Sequence, residues 1–297
     1  VAWTQVVAVA AAYAACYELT RQFSFSHWML PAGLRLACAL LVPRRFWPAL
    51  VIGDALPCIE AAALNVPRFG IAWGIMASIP LIVPCLGIVS LLQRRTTLYR
   101  ANGEINMTMI LVATTAFALA TAVLTEAALM TALLTSPGSW PEIDPFAYFF
   151  AYLLGAYLGA LTLTPTLLAL RERVDRPAGL TVALVWTSPL VREILFGAAP
   201  ILAALALLAP SGDGAMLQVL RLAMVAPVAI VTARHGWHGA AASGMLASIA
   251  MATTASVLLD PPMIRAQVIL SLMISGALLV GVRVARKAPA RALIQGP

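Results

Sequence analysis

A chain of 297 residues that is 62% hydrophobic, 10% charged and +0.92 in mean hydropathy cannot hide its apolar side chains in one water-soluble core. Soluble domains carry about a quarter charged residues, so this composition excludes a soluble enzyme and sets most of the surface against lipid. The net charge of +7 needs no nucleic-acid partner, because arginines that fix membrane orientation account for it, with anionic lipid headgroups as counter-charge.

Ten apolar stretches follow one another, at 2–19, 28–42, 47–64, 69–93, 105–134, 147–170, 191–209, 215–232, 239–258 and 263–283. Most reach the roughly 20 residues needed to cross about 30 Å of hydrocarbon. None shows the period-two alternation of a membrane barrel, so they read as helices. The expectation is an all-α polytopic membrane bundle of about ten transmembrane helices (eight to ten), with both termini cytoplasmic. An even count gathers fourteen Arg and Lys on one side, among them Arg44, Arg94, Arg171, Arg234 and Lys287, against Arg21, Arg68 and Arg265 on the other.

The first stretch has no basic leader or cleavage site, so it reads as a span rather than a signal peptide. Residue 1 is Val rather than Met, and the numbering reads as starting inside a longer chain. The second stretch follows His27 and Trp28, is short, and holds Pro31 near its start; it is expected to be tilted, broken or partly re-entrant. Arg35 lies near its middle, and Asp54 lies at similar depth in the antiparallel third stretch. Charges at membrane depth are costly and are usually paired, so Arg35 and Asp54 are expected to form an ion pair, either a structural clasp or a switch.

Further along, Glu126 of the fifth stretch and Arg221 of the eighth fall in the outer third, with Glu60 and Glu18 near the outer ends of the third and first. Trp28, Trp140, Tyr148 and Tyr152 lie toward the same face, either as an interfacial belt or as pocket walls. Glu60, Glu126 and Arg221, with Trp28, Tyr148 and Tyr152, are the expected ligand-binding set. Convergent polar groups in an apolar cage are what a small-molecule pocket requires. Gly155 and Gly159, Gly239 and Ser243, and Gly244 and Ser248 are small-residue pairs that permit close helix approach.

Catalytic patterns are missing: there is no Walker loop, GxGxxG, GxSxG or paired-aspartate motif. His235 and His238 flank Trp237 in a turn and read as interfacial anchors rather than metal ligands. Cys16, Cys38, Cys58 and Cys85 all sit inside stretches without metal spacing and read as packing residues. No metal, cofactor, disulfide or enzyme activity is expected of this chain.

The order of several short motifs resembles a known family. His27 to Leu34 (HWMLPAGL) is followed by Arg44 to Leu50 (RRFWPAL) and Gly53, then Gly155 to Pro165 (GAYLGALTLTP), Arg234-His235-Gly236, and a last span that holds Gln267 and runs into Arg286-Lys287. This succession resembles the MASE1 family, bacterial integral-membrane sensory domains placed upstream of histidine kinases and diguanylate cyclases. It departs at Ala156, where the family often carries an acidic residue. The resemblance implies a sensory domain over 1–285 and, in 286–297, the cytoplasmic start of a linker to an effector that follows, a histidine kinase in a bacterial inner membrane. It further implies a small-molecule ligand, a homodimer, and a response regulator reached through the kinase. One kinase of this kind is a receptor for the plant hormone cytokinin, so a prenylated adenine is an expected ligand, with its N6–H donated to a carboxylate. A transporter and a lipid-modifying enzyme are the alternatives. The clustered prolines support the transporter, and no repeated halves are evident.

Overall fold

The computed structural model describes residues 2–24, 28–135, 140, 142–174, 186, 188–209, 212, 214–255 and 260–294, with side chains described to residue 285. His27, most of the loop 136–141, and the side chains of Arg286 and Lys287 therefore lie outside the described residues. Among the described residues helices make up the regular structure, with an isolated bridge between Tyr99 and Ile105. Seven helical segments are long and apolar enough to cross a membrane: Arg44–Phe69, Ile71–Gln93, Met107–Thr135, Pro145–Val174, Pro189–Leu208, Gly214–Ala252 and Pro261–Ala285. Leu64, Ile71, Leu207 and Leu272 are largely exposed, the arrangement of a molecule whose outer solvent is hydrocarbon rather than water.

Seven differs from the ten stretches for local reasons. Helix α1 (Trp3–Gln22) is diluted by Thr4, Gln5, Glu18 and Arg21 and falls outside the seven. Helix α2 (Leu30–Leu41) has only 12 residues, about 18 Å at 1.5 Å per residue, which is shorter than a bilayer core. Pro31 stands in its first turn, where a missing N–H costs nothing. All of α2 but Cys38 and Leu41 is buried, so it is a central helix rather than a lipid-facing one. The eighth and ninth stretches fall in the single run Gly214–Ala252, but Gly236 within it is non-helical, at φ 65° and ψ −148°. Residues eight apart in a straight helix are separated by about 12 Å, yet a methyl group on Gly239 would lie 2.5 Å from the Val231 carbonyl oxygen. The run therefore turns sharply at Gly236.

The chain divides into two compact units. The first comprises Val1–Leu98 and Val112–Ala160. It holds α1, α2, α3 (Trp47–Phe69), the interrupted pair α4 (Ile71–Ala77) and α5 (Ile82–Gln93), and much of α6 (Met107–Thr135) and α7 (Pro145–Val174). Gly53 of α3 meets the Ala10 carbonyl and the Tyr13 ring of α1 at 2.6–3.2 Å from where a Cβ would sit, so the glycine sets the close α1–α3 approach. Gly159 of α7 does the same against the Met29 carbonyl at the entry to α2, where the Met29 N–H also donates to the Gly155 carbonyl at 3.0 Å.

The second unit comprises Tyr99–Leu111 and Leu161–Pro297. It contains α8 (Pro189–Leu208, with a π-helical turn at Ile194–Ala198), α9 (Gly214–Ala223), α10 (Ala226–Ala252) and α11 (Pro261–Ile294). The Gly236 turn lies against α11: a Cβ on Gly281 would stand 2.5 Å from the Trp237 nitrogen, and one on Gly244 would touch Ile274 at 3.1 Å. The second arm of α10 thus runs antiparallel to α11. Leu190, Ala198 and Val231 form a small core between α8 and α10.

Candidate functional site

Asp54 is the hub of the first unit and is fully buried. The break at Ser78–Leu81, which contains Pro80, restarts the helix at Ile82 and leaves the Ile82 N–H without a helical acceptor. Asp54 Oδ2 accepts that N–H at 3.1 Å, and the carboxylate sits at the positive end of α5. Its Oδ1 accepts the Tyr13 hydroxyl at 3.0 Å. Arg35 Nε donates to both oxygens, at 2.9 and 3.2 Å. The structure therefore brings Arg35 and Asp54 together across α2 and α3, and adds Tyr13 and the α5 N-terminus, which no motif or spacing singles out.

Beyond Asp54, Arg35 meets only softer partners. Its Nη2 lies 3.9 Å from the Cys58 sulfur, itself 3.8 Å from the Tyr17 hydroxyl, and its guanidinium carbon stands 5.0 Å over the Tyr17 ring. Arg35, Tyr17 and Cys58 all border a cavity of about 500 Å³, within the range of about 300–1,000 Å³ usual for small-molecule pockets. The walls come from α1 (Tyr17, Arg21), α2 (Pro31, Ala32), α3 (Cys58, Ala61, Phe69), α4 (Trp73, Met76), α6 (Thr121, Thr125, Ala128) and α7 (Tyr152). Phe69 packs on Trp73 and Trp140, with centroids 4.6 and 5.1 Å apart, which gives one wall an aromatic lining.

Of the residues expected to bind ligand, only Tyr152 lines this cavity. Tyr148 stands beside it, 6.1 Å between ring centroids. Trp28 is buried in the packing around the α2 entry. Glu60 is exposed, and neither carboxylate oxygen of Glu126 has a hydrogen-bond partner among the described residues. Glu18 pairs with Arg21 at 2.7 Å, one turn along α1.

Arg221 makes its hydrogen bonds inside the second unit rather than to the three glutamates. Nη1 reaches Asp260 Oδ2 at 3.0 Å, Nε the Thr254 hydroxyl at 3.0 Å, and Nη2 the Thr254 carbonyl at 2.8 Å. The guanidinium is fully buried and occupies the end of α10, where helical carbonyls lack partners. It fastens α9, α10 and α11 together, a structural arrangement.

The histidine turn is held by carboxylates on separate helices. Glu193 accepts from Arg234 Nη1 at 3.0 Å and contacts His235 Nε2 at 2.8 Å, while Glu172 contacts His238 Nε2 at 3.1 Å. Trp237 is buried between the two histidines. No group of three or more His, Cys, Asp or Glu with metal-binding geometry occurs among the described residues. The four cysteines are free thiols.

A family model, MASE1, matches residues 2–288. No curated protein and no solved structure matches the chain.

Proposed function

Because the chain belongs to the MASE1 family of membrane-integral sensory domains of signalling proteins, we propose that it is the signal-input module of a bacterial inner-membrane sensor histidine kinase. In this reading a small molecule enters the first unit's cavity and shifts helix packing, the last helix carries the shift to a kinase, and the kinase, as a homodimer, passes it to a response regulator. The observation that carries the reading is the cavity of about 500 Å³ reaching a buried Arg35. A partly open cleft of this size with a charged group in its wall has the form of a small-molecule site.

A transporter is the second reading, favoured by the helix break at Pro80 beside the cavity. One experiment separates the two. A panel of small metabolites, prenylated adenines included, is tested for saturable binding to the purified chain in lipid nanodiscs. Any compound that binds is then tested for accumulation in proteoliposomes. The sensor reading expects binding that Ala128→Phe and Ala61→Phe abolish by filling the cavity from α6 and α3, with no accumulation. Accumulation against an empty-liposome control would establish the transporter instead.

A further inference from the structure

We propose that the cavity selects an aromatic monocarboxylate, with its carboxylate on Arg35 and its ring among Tyr17, Phe69, Trp73 and Tyr152. This rests on the cavity being the ligand site and specifies what the site takes. Among the described residues its wall includes two arginines, Arg21 and Arg35, hydroxyls from Tyr17, Ser24, Thr121 and Thr125, and no Asp or Glu. Its charged groups are thus both guanidinia, Arg21 paired with Glu18 and Arg35 with Asp54, while the rest of the lining is largely apolar or aromatic. A ligand whose polar end is a donor, such as the N6–H of a prenylated adenine, meets no side-chain carboxylate here.

The guanidinium has capacity to spare. Arginine carries five N–H donors, and Asp54 engages only the one on Nε. The two Nη groups meet no oxygen among the described residues, only the Cys58 sulfur at 3.9 Å. Arg35 borders the cavity, and a guanidinium with donors not engaged by oxygen is a group that a carboxylate can accept from. Burying a second anion beside Asp54 would normally be prohibitive. Here Asp54 also accepts from the Tyr13 hydroxyl and the Ile82 N–H at the start of α5, so its charge does not depend on Arg35 alone, and the positive potential of Arg35 reaches the cavity. Thr121, a residue of the cavity wall, carries a buried hydroxyl with no partner among the described residues.

The test uses 3-phenylpropanoate and 2-naphthylacetate beside their primary amides, which share the shape without the charge, and a prenylated adenine. Binding to the purified chain in nanodiscs is followed calorimetrically. The carboxylates are expected to bind about tenfold tighter than the amides, the usual margin of a charge-assisted over a neutral hydrogen bond. In the Arg35→Gln/Asp54→Asn double variant, which leaves neither partner unpaired in charge, that preference falls to about onefold; Arg21→Gln retains it. Equal or tighter binding of the amides or the adenine overturns the carboxylate assignment, while sensitivity to Ala128→Phe keeps the cavity as the site. Carboxylate binding indifferent to Ala128→Phe overturns the site itself. Loss of the preference in Arg21→Gln alone overturns the role of Arg35, and no saturable binding by either carboxylate overturns the inference outright.

Discussion

Replacing Asp54 with asparagine changes one atom and disturbs four helices. The amide can keep one oxygen for either Tyr13 and Arg35 or the Ile82 N–H, and its NH2 must then face a donor on the other side. The gentler orientation sacrifices the Ile82 contact and leaves the α5 N-terminus without its acceptor, a loss of about 1–2 kcal/mol. It also strips a buried arginine of its counter-charge, and breaking such a pair from one side costs about 3–5 kcal/mol in all. Arg35→Gln should fall at or below the lower end of that range, because Asp54 keeps two other donors. The double variant should recover about 1–3 kcal/mol relative to the sum, the usual coupling of contacting residues. The assay is unfolding of the purified protein by SDS titration in mixed micelles, followed by far-ultraviolet circular dichroism. Additive losses, or a larger loss for Arg35→Gln than for Asp54→Asn, would refute the picture of Asp54 as the hub.

Two further variant sets follow from the same geometry and are read by the same titration. Gly159→Ala would drive a methyl group into the Met29 backbone and should cost about 1–3 kcal/mol, and Gly236→Ala, at φ 65° and 2.8 Å from the Gly281 carbonyl, should cost a similar amount. Gly87→Ala in α5 meets nothing within 4 Å and should be neutral or gain up to about 1 kcal/mol of helix propensity; equal behaviour of the three glycines would show the close approaches to be unimportant. Arg221→Met should cost about 3–5 kcal/mol, because it leaves Asp260 and the Thr254 carbonyl unpaired. Asp260→Asn, at a side chain 21% exposed, should cost about 1–2 kcal/mol, and a reversed ranking would remove Arg221 from the centre of that junction.

How much was legible in the sequence depended on chain distance. Arg35 and Asp54 sit on consecutive antiparallel helices joined by a short turn, so equal depth nearly determines contact. Arg221 and Asp260 lie 39 residues apart, with the whole of α10 between them. Depth alone allowed Glu126, Glu60 and Glu18 equally, while Asp260 lies just before α11 rather than within a span. The division into membrane-crossing helices followed hydropathy except where the backbone departs from it, at the short α2 and at the Gly236 turn. The cavity was beyond reach for a different reason. Its wall takes residues from six helices, α1, α2, α3, α4, α6 and α7, and apolar residues that face a cavity have the same composition as those that face lipid.

The place of the void explains why a ligand there could act as a signal. Through Asp54 and its three donors, α1, α2, α3 and α5 converge on one carboxylate, and the cavity adjoins the least continuous part of that set, the short α2 and the α4–α5 break. A ligand changes an equilibrium only by its difference in affinity for the two arrangements. A shift from one in ten to ten in one needs about a hundredfold difference, or about 2.8 kcal/mol. A fork to Arg35 made in one arrangement and lost in the other is of that size, since each charge-assisted hydrogen bond contributes about 1.5–3 kcal/mol. Apolar contacts with a wall that merely encloses the ligand are made alike in both arrangements and bias neither. In the proposed reading the lever for signalling is therefore the guanidinium, and the apolar wall serves affinity.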